Sequence, residues 1–278
     1  MNRTRLGTAL RELRQASGKE AKAVARGAVM SPSKLSKIET GKVSPTVVDV
    51  ERILEAIGVS DEVKVEYMAV ARIDATEATA WRLVRRLGYH RKQQQIKALD
   101  DSTTLLRLFQ PSLVPGLLQT PEYVRAVFEG KDLGEDQLSR TISARLARQQ
   151  CLYDTTKTLQ FVITESVLRW RLVPSAMMAG QLDRIISVSR LGHVDIRVVP
   201  LAAPQSDVPS HSFVIRNDRM VTVETVHAEL SVTDPRDVDL YVRKFNRFSE
   251  NALSGEEMRR VLERIRDEFL REREIVQD

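Results

Sequence analysis

The sequence predicts an α+β chain: an amino-terminal all-α unit of five helices, then a larger mixed α+β unit with a small sheet. Three observations point there. Up to about residue 72 the apolar residues recur at helical spacing, with caps and stops between the runs. Beyond about residue 105, β-rich runs such as 159–165 and 194–201 alternate with helical ones. The length of 278 residues gives room for two domains.

Taken in order, Leu6, Ala9, Leu10 and Leu13 form the apolar stripe of a first helix that ends near Gly18. A second runs from about Glu20 to Ala28, with Val24, Ala25 and Ala28 on its apolar side. The third starts at Ser31-Pro32. Ser31 can cap it with its hydroxyl, and Pro32 falls at the first helical position, where the missing N–H costs nothing. A residue before proline is also driven out of helical angles, as an N-cap requires. Leu35 and Ile38 point to one side, and Ser33, Lys34 and Lys37 point elsewhere. Gly41 is a stop, and Lys42 suits the negative end of the helix. Val47, Val50, Ile53, Leu54 and Ile57 mark a fourth helix ended by Gly58, and Ser60 caps a fifth. The expected core is Leu10, Leu13, Val24, Ala25, Ala28, Leu35, Ile38, Val50 and Leu54.

Two short helices joined by a few residues match a helix-turn-helix unit, whose second helix enters the major groove of DNA. An ordinary helical hairpin with a solvated basic face fits the spacing equally well. Charge moves the balance. Residues 1–42 hold ten Lys/Arg (Arg3, Arg5, Arg11, Arg14, Lys19, Lys22, Arg26, Lys34, Lys37, Lys42) and only the acids Glu12, Glu20 and Glu39. A basic lobe on a chain whose whole net charge is only +5 is the footprint of a polyanion binder. A membrane surface would favour aromatic residues opposite the basic face, and residues 1–42 contain none, so double-stranded DNA is the better partner.

These residues resemble the Cro/lambda-repressor (XRE) type of helix-turn-helix domain. The likeness rests on Gly18, Val24-Ala25, Ala28, Met30-Ser31, Leu35, Ile38-Glu39, Gly41 and Pro45, and covers about Thr4 to Val59. It implies a five-helix DNA-binding domain in which Pro32, Ser33 and Lys37 face base edges and Lys34 and Lys42 lie near phosphates. With Ser31, these make the candidate DNA-binding set. The resemblance also implies an ion pair between Arg14 and Glu39. The chain departs from the family in two places. Glu20 and Ala21 replace a Ser-Gln pair whose glutamine reaches a phosphate. Val29 stands where a glycine is usual, with Gly27 two residues earlier, so the corner is expected to be reshaped.

The domain boundaries expected are 1–72, a helical connector over 73–104, bent near Gly88, and 105–278. The connector's basic run (Trp81, Arg82, Arg85, Arg86, Tyr89, Arg91, Lys92, Lys97) reads as a solvated helix face in preference to a further DNA or partner contact. From Leu105 a new pattern begins, with a loop around Pro111–Gly116. A helix starts at Thr120-Pro121-Glu122. Another runs from Leu138 to about Leu152, with Leu138, Ile142 and Leu146 on one face and Arg140, Arg145 and Arg148 mostly on the other. Four strands are expected: 159–165, 194–201 and a hairpin turning at Asn217-Asp218. Helices follow over about 174–191 and from Asp234-Pro235. A last one starts at a capping box of Ser254 and Glu257.

This second region resembles the carboxy-terminal domain of antitoxin-like and WhiJ-like actinomycete regulators. The matching runs are VPGLLQTPEY (Val114–Tyr123), ARLARQQ (Ala144–Gln150), VITESVLR (Val162–Arg169), QLDRI (Gln181–Ile185), IRVVP (Ile196–Pro200) and VTVET (Val221–Thr225). The resemblance implies a transcription factor paired with a short protein encoded next door.

No catalytic set persuades, so no enzyme activity, cofactor or metal site is expected. His90, His193, His211 and His227 show no metal spacing. Cys151 with His211 is a conceivable nucleophile pair, but a lone cysteine ending an amphipathic helix reads as core. Ser210-His211-Ser212 lacks a nucleophile-elbow context. Glu165 and Glu224 near strand ends read as partners of Arg169 or Arg197, and Met177-Met178 as helix core. No run reaches the roughly 20 apolar residues that span a bilayer. No signal peptide is read, and one cysteine fits a reducing cytoplasm. The expected function is a dimeric, sequence-specific regulator on an inverted repeat, controlled by a partner or ligand at the second domain. The alternative is an antitoxin-type protein that neutralises a small neighbour, with DNA binding as autoregulation.

Overall fold

The first 74 residues build five helices: α1 (Arg3–Ala16), α2 (Ala21–Gly27), α3 (Pro32–Glu39), α4 (Val47–Ile57) and α5 (Asp61–Asp74). The computed structural model describes residues 3–74, 76–80, 84, 88–131, 133–205, 207–226 and 228–275. Contacts divide the chain into two units, Met1–Ala78 with Leu230–Val238, and Thr79–Glu229 with Asp239–Asp278.

In the amino-terminal unit the helix ends form as their residues dictate. The Lys34 N–H donates to Ser31 Oγ at 3.1 Å, and Pro32 occupies the first turn. Thr46 and Asp49 make a reciprocal capping box on α4. The expected core forms: eight of its nine residues are at most 1% exposed, and Leu13 packs half-buried against them. Leu6, Ile53, Ile57, Met68 and Ala71 extend it. Burial of each such large aliphatic side chain is worth about 1.5–3 kcal/mol. α1 crosses α3 closely because Gly7 lacks a side chain: a Cβ there would lie 2.2 Å from the Ile38 carbonyl oxygen.

The carboxy-terminal unit is built on a sheet whose strands here run in the order β6-β5-β2-β3-β4. They are β2 (Leu105–Gln110), β3 (Thr158–Thr164), β4 (Val194–Val199), β5 (Phe213–Arg216) and β6 (Met220–Glu224). β2 pairs parallel with β3, β3 parallel with β4, and β5 antiparallel with both β2 and β6. The helices are α6 (Tyr89–Asp101), α7 (Pro121–Glu129), α8 (Glu135–Arg148), α9 (Glu165–Arg169), α10 (Ser175–Val188), α11 (Pro235–Glu250) and α12 (Gly255–Ile275). One sheet face carries Leu106, Leu108, Leu159, Phe161, Ile163, Ile196 and Val198 into a core closed by α10 and α12. On the other face Phe109 stacks on Phe248 of α11, with ring centres 4.2 Å apart.

The four expected strands are present as β3, β4, β5 and β6, and the Asn217-Asp218 hairpin turns with both residues left-handed (φ 52 and 50). The sheet is larger than expected. β2 is not among the four: it carries apolar residues on both faces, Leu105 and Phe109 on one and Leu106 and Leu108 on the other, so its sequence shows no simple alternation. Two further strands, β1 (Thr76–Ala80) and β7 (Ala228–Val232), each contain a boundary between the units. β1 thus places a strand inside the expected helical connector. Trp81, Arg82, Arg85, Arg86 and His227 lie outside the described residues. The capping box expected of Ser254 and Glu257 does not form, and α12 opens instead at a left-handed Gly255 (φ 53).

Gly7→Ala is expected to lower stability by about 1–3 kcal/mol through overpacking against α3. Gly130→Ala, where a Cβ would meet nothing within 4 Å, serves as the control. Urea unfolding midpoints of the two variants check this.

Candidate nucleic-acid interface

α3 has eight residues, too short to hold its shape alone. Its inner face fixes it. Leu35 and Ile38 are fully buried. Glu39, also buried, takes two bonds from Arg14 of α1: Nε to Oε1 at 2.6 Å and Nη2 to Oε2 at 2.9 Å. The pair implied by the resemblance therefore forms, and its fork geometry is the strong kind. Glu39 raises the Arg14 pKa, so the guanidinium stays charged.

The outer face is open. Ser31, Pro32, Ser33, Lys34, Ser36, Lys37 and Lys42 are all exposed. Lys37 and Lys42 have no carboxylate partner among the described residues. Lys34 differs: its ammonium donates to Asp49 Oδ1 of α4 at 2.7 Å. Burial pushes the Asp49 carboxyl up, but Lys34 and the two Thr46 bonds outweigh it and leave the pKa below the ordinary value. A depressed carboxylate stabilises the fold above the ordinary range and loses that contribution as pH falls through the lowered value. The tie therefore holds fully at neutral pH.

The two ends of the corner use the same device. After α3, the Gly41 N–H bonds Ile38 O and the Lys42 N–H bonds Lys37 O, with Gly41 left-handed (φ 69). After α2, the Val29 N–H bonds Arg26 O and the Met30 N–H bonds Ala25 O, with Val29 left-handed (φ 54). The corner thus keeps the glycine geometry with a β-branched residue in it, a strained choice. Gly27 serves another purpose: a Cβ there would come within 2.9 Å of Ala56 Cβ, so it lets α2 pack on α4.

The carboxy-terminal unit brings three of the singled-out runs together. The loop at Val114–Thr120 is held by glutamines that sequence reading passed over. Gln119 Nε2 bonds Val114 O at 2.7 Å, Gln149 Nε2 bonds Gln119 O at 2.7 Å, and Gln181 Nε2 bonds Leu118 O at 2.8 Å. Loop carbonyls that no strand pairs are satisfied this way. Of the α8 arginines, Arg140 is exposed, but Arg148 is turned inward onto Asp100 of α6. Asp100 is 2% exposed and also binds Arg216 of β5 at 2.9 and 3.2 Å. The buried Lys157 amine donates to the carbonyls of Asp100, Asp101 and Thr103.

The other candidates resolve plainly. Glu165 pairs with Arg169 at 2.9 Å, whereas Arg197 takes Asp195 and Glu224 lies exposed. His211 bonds Ser210 and Tyr241, not Cys151. Burial raises the Cys151 thiol to about 11, which keeps it protonated. Met178 is core but Met177 is exposed. Among the described residues no group of His, Cys, Asp and Glu could hold a metal ion, and no helix is long and apolar enough to cross a membrane.

Known proteins give these features a setting. Residues 93–264 match the family described as a domain of unknown function (DUF5753), and residues 5–66 match a helix-turn-helix domain. No curated protein is significantly similar. Among solved structures, the archaeal chromatin protein TrmBL2 is 16% identical, covering 74% of this chain, with a TM-score of 0.33. The chain spans 65% of that protein's length. Nuc, a phospholipase D family member from Salmonella typhimurium, is 11% identical, with coverage of 65% of this chain and 97% of its own, at a TM-score of 0.36. At these scores neither likeness defines a shared fold or activity.

Two substitutions probe the two sites. Val29→Gly should stabilise the protein by about 1 kcal/mol, since an exposed β-branched residue leaves a left-handed position. A urea midpoint that does not rise contradicts the strain. Asp100→Asn should cost about 3–5 kcal/mol by leaving Arg148 and Arg216 buried without their carboxylate. The same unfolding measurement reads it.

Proposed function

We propose that this chain, which belongs to the DUF5753 family and carries an amino-terminal helix-turn-helix domain, is a sequence-specific, dimeric regulator of transcription. The observation that carries the reading is α3: its inner face is locked, and its exposed face presents the unpaired Lys37, with Lys42 just beyond its end. We read the domain as the Cro/lambda-repressor type, supported by the Arg14–Glu39 pair, and the second domain as the antitoxin-like, WhiJ-like type. The working division is residues 1–72 for DNA, 73–104 as connector and 105–278 for control by a ligand or a small protein partner. A cytoplasmic, nucleoid location follows from that role. Catalysis forms no part of the proposal.

In this reading Pro32, Ser33 and Lys37 approach base edges from a helix that Ser31 caps, with Lys37 favouring the acceptors of guanine. Lys42 approaches a phosphate. Lys34 does so only by exchanging Asp49 for the backbone of the duplex, so its net contribution to affinity is smaller. A two-fold dimer implies half-sites about one helical turn, roughly 34 Å, apart.

Lys37→Ala is expected to cost about 1–3 kcal/mol of binding and to relax one operator position. Lys42→Ala should weaken all sequences alike and lower the salt dependence by about one counterion. Equilibrium binding to an operator and to scrambled DNA over a salt series separates the two. Identical behaviour of the two variants contradicts the assignment of Lys37 to a base.

A further inference from the structure

A cavity of about 210 Å³ lies within the carboxy-terminal unit. It sits between the β2–β5–β6 part of the sheet and helices α6, α7 and α8. Ile96, Leu108, Leu113, Val127, Phe128 and Val214 give it an apolar wall.

Its charged wall is not balanced. The nitrogens of Arg148 are committed, two to Asp100 and one to Gln93 Oε1. Those of Arg216 are committed to Asp100 and Thr222. Lys92 is paired with Glu229 at 2.5 Å. Among the arginines of this wall, Arg145 is the exception. Its Nε donates to Gln93 Oε1 at 2.8 Å and its Nη1 to Gln119 Oε1 at 3.2 Å, both neutral acceptors. Its Cζ lies 4.9 Å from the Phe128 ring centre. No carboxylate among the described residues pairs with it. Exposed Glu224 and the shared Asp100 act on it only at longer range. Burial first, then the neighbouring Arg148, pull its pKa down to about 9. The chain makes room for this awkward charge: a Cβ on Gly116 would sit 2.5 Å from Arg145 Nη1.

A partly buried cation held only by amide oxygens, beside an apolar wall, calls for an anion with an apolar body. We infer that the cavity binds a small organic monocarboxylate, its carboxylate on Arg145 and its apolar part against Ile96, Leu108, Val127 and Phe128. One charge is specified, because the charges of Arg148 and Arg216 are already met by the Asp100 carboxylate and Glu224 repels a second. This names the ligand of the control proposed above and rests on that reading only for its consequence at DNA.

The test is calorimetric titration of the full chain with phenylacetate, benzoate and hexanoate, against phenylacetamide and inorganic phosphate. At least one carboxylate should bind saturably, one per chain, with the amide and phosphate about tenfold weaker or worse. Arg145→Gln should lose about thirtyfold or more, whereas Lys37→Ala should bind like the unsubstituted protein. If circular dichroism shows Arg145→Gln unfolded, Lys131→Gln is read instead. Lys131 is an exposed lysine on the cavity wall with no ion pair among the described residues, and its loss should weaken binding about threefold. No saturable binding by any carboxylate, equal binding of the amide, or full affinity in the folded Arg145 variant (or in its substitute) overturns the site. Intact carboxylate binding without retardation of any DNA overturns the regulator reading and leaves the site standing.

Discussion

The anchoring of α3 is the constraint on which the rest depends. A helix of two turns has no stability of its own, so whatever its outer face does requires the inner face to be held by its neighbours. Leu35 and Ile38 supply burial, the Arg14–Glu39 fork ties α3 to α1, and Lys34–Asp49 ties it to α4. Gly7 lets α1 come close enough for the fork to close. The aliphatic contacts and the fork face inward, and the Lys34–Asp49 tie lies at the rim. What remains outward is polar, and its lysines Lys37 and Lys42 have no carboxylate partner among the described residues.

The carboxy-terminal unit follows a different logic. Its central strand, β2, leads into an irregular loop, and buried glutamines satisfy that loop's backbone. Asp100 gathers two arginines and, through its carbonyl, the Lys157 amine. Buried polar networks of this kind are costly unless complete, and here nearly every donor finds an acceptor. Arg145 stands apart because its partners are neutral. That asymmetry, in an otherwise satisfied network, separates a wall of a cavity from a piece of core.

How far the sequence revealed this depends on the range of each signal. Ser31-Pro32, Gly41 and Gly58 act through the backbone within a few residues, and the helix ends they predict are where they should be. The helical core was equally readable from spacing. The Arg14–Glu39 pair joins residues far apart in sequence, and only a family resemblance pointed to it. Val29 was flagged as out of place, but its left-handed backbone and the packing reason for Gly27 needed coordinates. β2 escaped because apolar residues on both of its faces erase alternation in the sequence. The spacing places Arg148 on the helix face opposite Leu138 but does not show its partner, because Asp100 lies 48 residues away. Nothing local to α8 distinguishes an arginine facing water from one facing a buried carboxylate. The same holds for Arg145.

The most direct measurement mixes the full chain with sheared genomic DNA at low ionic strength and sequences the fragments that are retained. An exposed recognition helix in a two-fold dimer predicts that those fragments share an inverted repeat whose halves are separated by about one turn of the duplex. Retention of fragments with no common sequence, or retention of none, contradicts the account.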